Sequence, residues 1–141
     1  KPQTPNPKPQ TPNPKPPKPK PPVPEKSPAL RKVIQQKEEA LLLEKIAASK
    51  SKPALILLDE RGKALTTLEW AKLLETHAAE KSICIAIGSS LGFSDELRKR
   101  ATKVLSLGPQ TLSHHLARVV ILEQLYRSLS FLNNHPYHNA D

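Results

Sequence analysis

Thirteen of the 16 prolines in this chain fall within residues 1–28, and only three are scattered through the 113 residues that follow. Proline fixes φ and removes an amide donor, so a segment this dense in it can form neither a helix interior nor a sheet ladder. KPQTPNP at residues 1–7 repeats unchanged at 8–14, and KPPKPKPPVP follows to Pro24. Residues 1–28 are therefore expected to be a disordered, solvated, polyproline-like Pro/Lys-rich spacer. PxxP sites such as Pro2 to Pro5 could in principle enter SH3-like grooves, but a spacer or electrostatic tether is the simpler reading. Any core must come from residues 29–141, a length sufficient to fold alone.

Both parts are basic. Of the formal charge of +9, residues 1–28 carry +5 and residues 29–141 carry +4. That balance favours an anionic partner, with RNA the foremost candidate. The single cysteine, Cys84, cannot form an internal disulfide and sits in the apolar run ICIAI, so it reads as a small buried core thiol in a reducing compartment. No stretch approaches the roughly 20 apolar residues of a membrane span, and the start lacks the apolar segment of a secretory signal. A soluble, cytoplasmic protein is expected. The chain contains no methionine, at its start or elsewhere, which suggests a piece of a longer product.

Apolar residues Leu30, Val33, Ile34, Leu41, Leu42 and Ile46 recur at helical spacing and predict an amphipathic helix over 29–49. The apolar run 54–58 after Pro53 predicts a strand covered on both faces, with Arg61-Gly62 as the turn after it. Thr66 or Thr67 should cap a helix to about Ala79, with Leu65, Leu68, Ala71 and Leu74 on one side and Trp70 beside them. A second buried strand is expected over 83–87, a turn over 88–92, a short helix over 95–102, a third strand over 104–107, and a long helix from the loop 108–113 to about Leu132. Strands alternating with helices in this way predict an α/β fold with a parallel sheet and flanking helices. Ligands in such sheets bind at the carboxyl ends of strands, where the loops 59–63, 88–93 and 108–114 lie. Leu116, Val119, Val120, Ile121, Leu122, Leu125, Tyr126 and Leu129 cover more than one stripe of the last helix. One side could face the sheet and the other a second subunit, so a homodimer is expected.

Gly88-Ser-Ser-Leu-Gly92 is a backbone turn that could approach a ligand closely, although the three-glycine spacing of a dinucleotide fingerprint is absent. Glu123 and Arg127, four apart, could form a simple exposed ion pair. His114 could be a locally bonded residue at a helix start. His114, His115, His135 and His138 have no spacing of a known metal ligand set, and no metal is expected.

Three stretches, LILLDERGK (residues 55–63), ICIAIG (83–88) and LSLGPQTLSHHLARVVILEQLYRSLSFLNNHPYH (105–138), resemble the RlmH family of SPOUT methyltransferases. These are bacterial enzymes that methylate N3 of a pseudouridine in large-subunit (23S) ribosomal RNA. The resemblance runs from about Ala29 to the end and omits the family's first strand-helix-strand unit. It implies a SPOUT-type fold with a C-terminal trefoil knot, a homodimer, ribosomal RNA as partner and S-adenosylmethionine as cofactor. Leu58, Gly88, Leu107, Gly108, Pro109, Gln110, Thr111 and Leu112 would line the cofactor pocket. The family pattern places His114 and Arg118 toward RNA, and Arg127, Tyr137 and His138 as catalytic residues. Ser89 stands where the family has a second glycine, Leu91 where an acidic residue is frequent, and Asn139 where a basic residue follows Tyr-His. A second reading is a degenerate SPOUT-like protein that binds RNA or a partner without turnover. A third is a proline-rich tether carrying a small α/β interaction domain.

Overall fold

The run 54–58 is too apolar for a wet face, and it becomes the central strand of a three-stranded sheet. In the computed structural model, which describes residues 2–19, 27–79 and 82–139, β1 (Ala54–Ala64) lies between β2 (Ile83–Ile87) and β3 (Lys103–Ser106), parallel to both. Side chains alternate across a strand. Ile56 and Leu58 therefore enter one core with Trp70, Leu73, Leu74, Leu105 and Ile121, while Leu55 and Leu57 enter a second with Ala86, Phe93 and Leu97. Helices α2 (Thr67–Ala78) and α4 (His114–Leu132) supply the first core. Helices α1 (Pro28–Ala48) and α3 (Asp95–Arg100) cover the second. The expected parallel α/β sheet with flanking helices is thus observed.

Several expectations are corrected in detail. Arg61-Gly62 does not end the strand. The Asp59 carboxylate accepts a hydrogen bond from the Arg61 amide (2.9 Å), a local turn, but the chain returns to the sheet at once. Leu105 then pairs a second time, with Lys63 as well as Leu58, so residues 59–62 form a large bulge inside β1. Leu68 is exposed, and Leu73 takes the place expected of it beside Trp70, which is 2% exposed. Thr66 is the cap of α2, in a reciprocal capping box with Glu69.

Strand β2 is an edge of this sheet, and its residues other than Ala86 are only half-buried. Cys84 shares that partial cover and is not a fully buried thiol, though burial still pushes its pKa up. Helix α3 stops at Arg100 because the Thr102 amide and hydroxyl are bonded to the backbone of Leu55. Strand β3 spans 103–106, one residue earlier than expected. In α1 only Leu42, Leu43 and Ile46 pack on the core, whereas Leu30, Val33 and Leu41 are exposed.

The expected second buried face of α4 is open in the single chain. Leu116, Val119, Leu122, Tyr126 and Leu129 form a stripe in which each residue is 48–62% exposed. Residues 2–19 contain no helix or strand and are exposed throughout. Residues 1 and 20–26 of the Pro/Lys-rich segment lie outside the described residues. Among the described residues no helix is long and apolar enough to cross a membrane.

Candidate active site

The carboxyl ends of all three strands open on one side of the sheet, and the loops that leave them enclose a cavity of about 610 Å³. That volume suits a small-molecule site. Its walls are Leu58 to Arg61 from the β1 bulge, Ile87 to Phe93 after β2, and Leu107 with the loop leading into α4. Seven of the eight expected cofactor residues line it: Leu58, Gly88, Leu107, Gly108, Gln110, Thr111 and Leu112. Pro109 does not. It is exposed.

The loop after β3 is shaped by short-range bonds. The Ser106 hydroxyl accepts from the Gly108 amide (3.0 Å) and donates to the Gly108 carbonyl (2.6 Å). Gly108 adopts φ 138, a backbone state that side-chain-bearing residues rarely occupy, and open space surrounds its missing Cβ. Thr111 donates to the Glu60 carboxylate (2.7 Å), which fastens this loop to the β1 bulge. Beneath that contact, Gly62 lies so close to the Leu105 backbone that a Cβ would meet it at 2.7 Å. Ser113 then caps α4 by accepting from the Leu116 amide. The His114 and His115 rings sit 4.1 Å apart at the helix start, and His114 reaches the cavity wall.

The Asp59 carboxylate is nearly covered, and its Oδ2 accepts from Arg98 Nη2 (2.8 Å) and Nε (3.1 Å). Burial pushes its pKa up, but the Arg61 amide and the Arg98 guanidinium outweigh burial and hold it below its ordinary value. This pair ties α3 to the rim of the cavity. It is a structural link that the sequence alone did not suggest.

A second cavity of about 540 Å³ adjoins the first and shares Ile87, Gly88, Ser89, Gly92, Phe93 and His114 with it. Arg118 lies here, together with Glu38 and Glu39 of α1. Sequence reasoning did not single out these carboxylates. Their only trace is the polar spacing of Gln35, Glu38 and Glu39, which any solvated helix face can show.

Arg127, Tyr137 and His138 gather elsewhere, against the outer part of α4. Arg127 pairs with Glu123 (Nη2 to Oε1 2.6 Å), its guanidinium carbon lies 4.7 Å from the centre of the Tyr137 ring, and its Nη1 is 3.4 Å from His138 Nδ1. Tyr137 also donates weakly to Glu123 (3.4 Å) and packs edge-on against Tyr126. The Arg127 hydrogen bond holds the Glu123 carboxyl below its ordinary pKa, and the same bond raises that of Arg127. The expected simple ion pair is therefore part of a larger cluster. The tail reaches it by turning at Asn134 (φ 57) and bonding the His135 amide to the Ser130 carbonyl. None of the three catalytic candidates lines either cavity. Arg127 lies thirteen positions beyond His114, roughly 20 Å along α4 at the usual rise. Among the described residues, no group of three His, Cys, Asp or Glu side chains could hold a metal ion.

Comparison with known proteins matches this arrangement. The family model described as "Predicted SPOUT methyltransferase" matches residues 19–138. The protein named ribosomal RNA large subunit methyltransferase H in Koribacter versatilis (strain Ellin345) is 48% identical over 105 residues, 73% of this chain and 72% of the relative. Its namesakes in Rhizobium meliloti (strain 1021) and Syntrophotalea carbinolica are 46% and 42% identical over 108 residues, 75% of this chain and 66% and 67% of those relatives. The chain therefore spans about two thirds of the length of the curated relatives it matches. With its parallel sheet and strand-end cavity, this chain belongs to the SPOUT methyltransferases, in the ribosomal RNA large subunit methyltransferase H family.

Proposed function

We propose that this chain is an S-adenosylmethionine-dependent methyltransferase acting, as a homodimer, on N3 of a pseudouridine in large-subunit ribosomal RNA. The observation that carries the reading is the convergence of the three strand-end loops on one cavity. Its walls fit the cofactor: apolar Leu58, Ile87, Leu107 and Leu112 suit an adenine ring, and the φ of Gly108 leaves backbone groups open for close approach. When bound, the cofactor supplies a methyl group on a positively charged sulfur. The protein's share is to hold donor and base in line and to take the N3 proton. The trefoil knot of this reading comes from the family resemblance of residues 105–112; in the same region Gly62 packs on the Leu105 backbone and Thr111 bonds Glu60.

A second copy completes the site. The apolar stripe of α4 would be covered by its counterpart, and each chain's Arg127, Tyr137 and His138 would be delivered to the partner's cavity. Tyr137 and His138 would orient the base and accept its proton, while Arg127 would stabilise charge developing on the ring. His114 and Arg118, at the adjoining cavity, would contact RNA. The lysine-rich start would act as a tether that adds salt-dependent, sequence-independent affinity. Acting on ribosomal RNA, it would work in the cytoplasm.

Calorimetric titration with S-adenosylmethionine tests the reading directly. One saturable site per chain is expected, followed by methyl transfer to ribosomes lacking the modification. A folded chain that takes up no cofactor overturns it.

A further inference from the structure

The loop after β2 forms the wall shared by both cavities, yet it contains little that would hold it still. Gly88-Ser-Ser-Leu-Gly92 has two glycines and two small serines, and Gly92 takes φ 68. A chain of this composition loses much conformational freedom when it is fixed. Its own bonds are few: the Gly92 amide to the Ser89 carbonyl (2.9 Å), and the Leu91 amide to the Ser89 hydroxyl (3.4 Å).

The remaining restraints come from one face of α1, where residues three and four apart are neighbours. Gln35 Nε2 donates to the carbonyls of Leu91 and Gly92, at 3.2 Å each. The Ser89 hydroxyl donates to Glu38 Oε2 (2.8 Å). Glu39 accepts from both the amide (2.7 Å) and the hydroxyl (2.6 Å) of Ser94, the residue that caps α3. Three consecutive contact residues of one helix thus fasten the loop from Ser89 to its far end. The charged contact at Ser89 is the one nearest Gly88, on the wall of the cofactor cavity.

We infer that Glu38 is a positioning residue: acting through the Ser89 hydroxyl, it fixes the Gly88–Gly92 backbone in the shape that receives cofactor and base. The Ser89 oxygen is a relay, donating to the Glu38 carboxylate and accepting from the Leu91 amide. An ionised acceptor makes the stronger kind of hydrogen bond and holds the hydroxyl proton in one direction. The lone pair facing Leu91 is thereby kept free to accept. Without Glu38 the hydroxyl can rotate, and the Ser89 end of the loop keeps only the internal turn, while the far end keeps the Gln35 bonds and the Glu39 contact at Ser94. The inference rests on the cofactor reading above for its effect on binding, but the loop's order does not depend on that reading.

The test compares Glu38→Ala, Glu38→Gln, Ser89→Ala and the double variant Glu38→Ala/Ser89→Ala. Glu44→Ala, an exposed site on the same helix, is the control. Amide hydrogen exchange in the absence of cofactor is expected to speed up at residues 89–92 in Glu38→Ala and Ser89→Ala, with the sheet amides unchanged. Glu38→Gln, which keeps an acceptor oxygen, should restore much of the protection. In calorimetry, affinity for S-adenosylmethionine should fall by on the order of tenfold in either single variant. The double variant should be no weaker than the singles, as expected of two groups acting as a unit. Glu44→Ala should match the wild type. Unchanged loop exchange in Glu38→Ala, or losses that simply add in the double variant, would overturn the inference. If the wild type takes up no cofactor, the functional reading fails and loop exchange alone decides whether the clamp exists.

Discussion

The strand-end cavity and the Arg127–Tyr137–His138 cluster are built in opposite ways. The cavity is made mostly of backbone: strand ends, a bulge, and two loops turned by glycines with φ of 68 and 138. The residues that line it come from three loops of one chain. The cluster is made of side chains on the outer part of α4 and a tail folded back on it, and it lines neither of the two cavities described. A pocket can be enclosed by short connections close together in sequence and space. On the proposed reading, the side chains gathered along a 19-residue helix would be brought to that pocket by a second copy, and the uncovered stripe of α4 is the surface proposed for it.

Mixed dimers would break this comparison with the largest effect. Arg127→Ala removes a cluster residue, and Gly108→Val puts a side chain into the open cradle at a backbone state it does not favour. Each homodimer is expected to lose at least about 100-fold in methyl transfer, the usual scale for losing a charge-stabilising group or the site itself. Arg127→Ala should still bind cofactor like the wild type. Refolding the two variants together should restore activity, because one heterodimer site then has an intact cavity and an intact partner cluster. Mixtures as inactive as their parents would mean that cavity and cluster serve the same chain.

A smaller effect should follow from Gly62→Ala, which attacks the cavity from beneath. The added Cβ would lie 2.7 Å from the Leu105 backbone, where neither side can yield as a flexible side chain could. A loss of about 1–3 kcal/mol in denaturant unfolding is expected, the range for forcing atoms into a packed site. Cofactor affinity should fall with it, because the bulge and the loop bonded to it by Glu60 and Thr111 would separate. Unchanged stability would show that strand β1 can leave Leu105 without consequence.

The same contrast explains how much could be read from the sequence. Buried runs such as 54–58 and 83–87 identify themselves because a strand covered on both faces tolerates little that is polar. The cap of α2 is legible to within one residue, as Thr66 or Thr67, because the bonds a cap makes are local. Seven cavity residues were reachable through the resemblance and the strand-end rule together. Pro109 was not excluded, since position in a loop says nothing about which side faces inward. The second pairing of Leu105, with Lys63, was invisible because Arg61-Gly62 carries every local sign of a turn, and only the partner strand decides that the chain comes back. The α1 clamp was hidden for a similar reason. Gln35, Glu38 and Glu39 look like any solvated helix face, and their partners lie more than 50 residues away.

The smallest expected effect concerns Asp59, which links the rim of the cavity to α3 and has no contact with the cluster. Its carboxyl accepts from the Arg61 amide and from Arg98, and together these hold its native pKa below the ordinary 3.8 despite burial. A group whose pKa is lower in the folded chain contributes stability at pH values above its unfolded pKa, and loses it as pH falls through the folded value. Asp59→Asn should therefore be less stable than the wild type at neutral pH, and the gap should close as the solution is acidified below about pH 4. Loss of the bond to Arg98, whose side chain is 16% exposed, dominates at neutral pH. Parallel unfolding curves at pH 7, 5, 4 and 3 would measure it. A gap that stays constant with pH would mean that shape and not charge matters at this position, since asparagine has the same outline and keeps an acceptor for the Arg61 amide. The cluster gives an independent internal control. Methyl transfer by the two proteins, measured at neutral pH on folded material, should differ only as far as cofactor affinity differs, because Asp59 lines the cavity and touches none of Arg127, Tyr137 and His138.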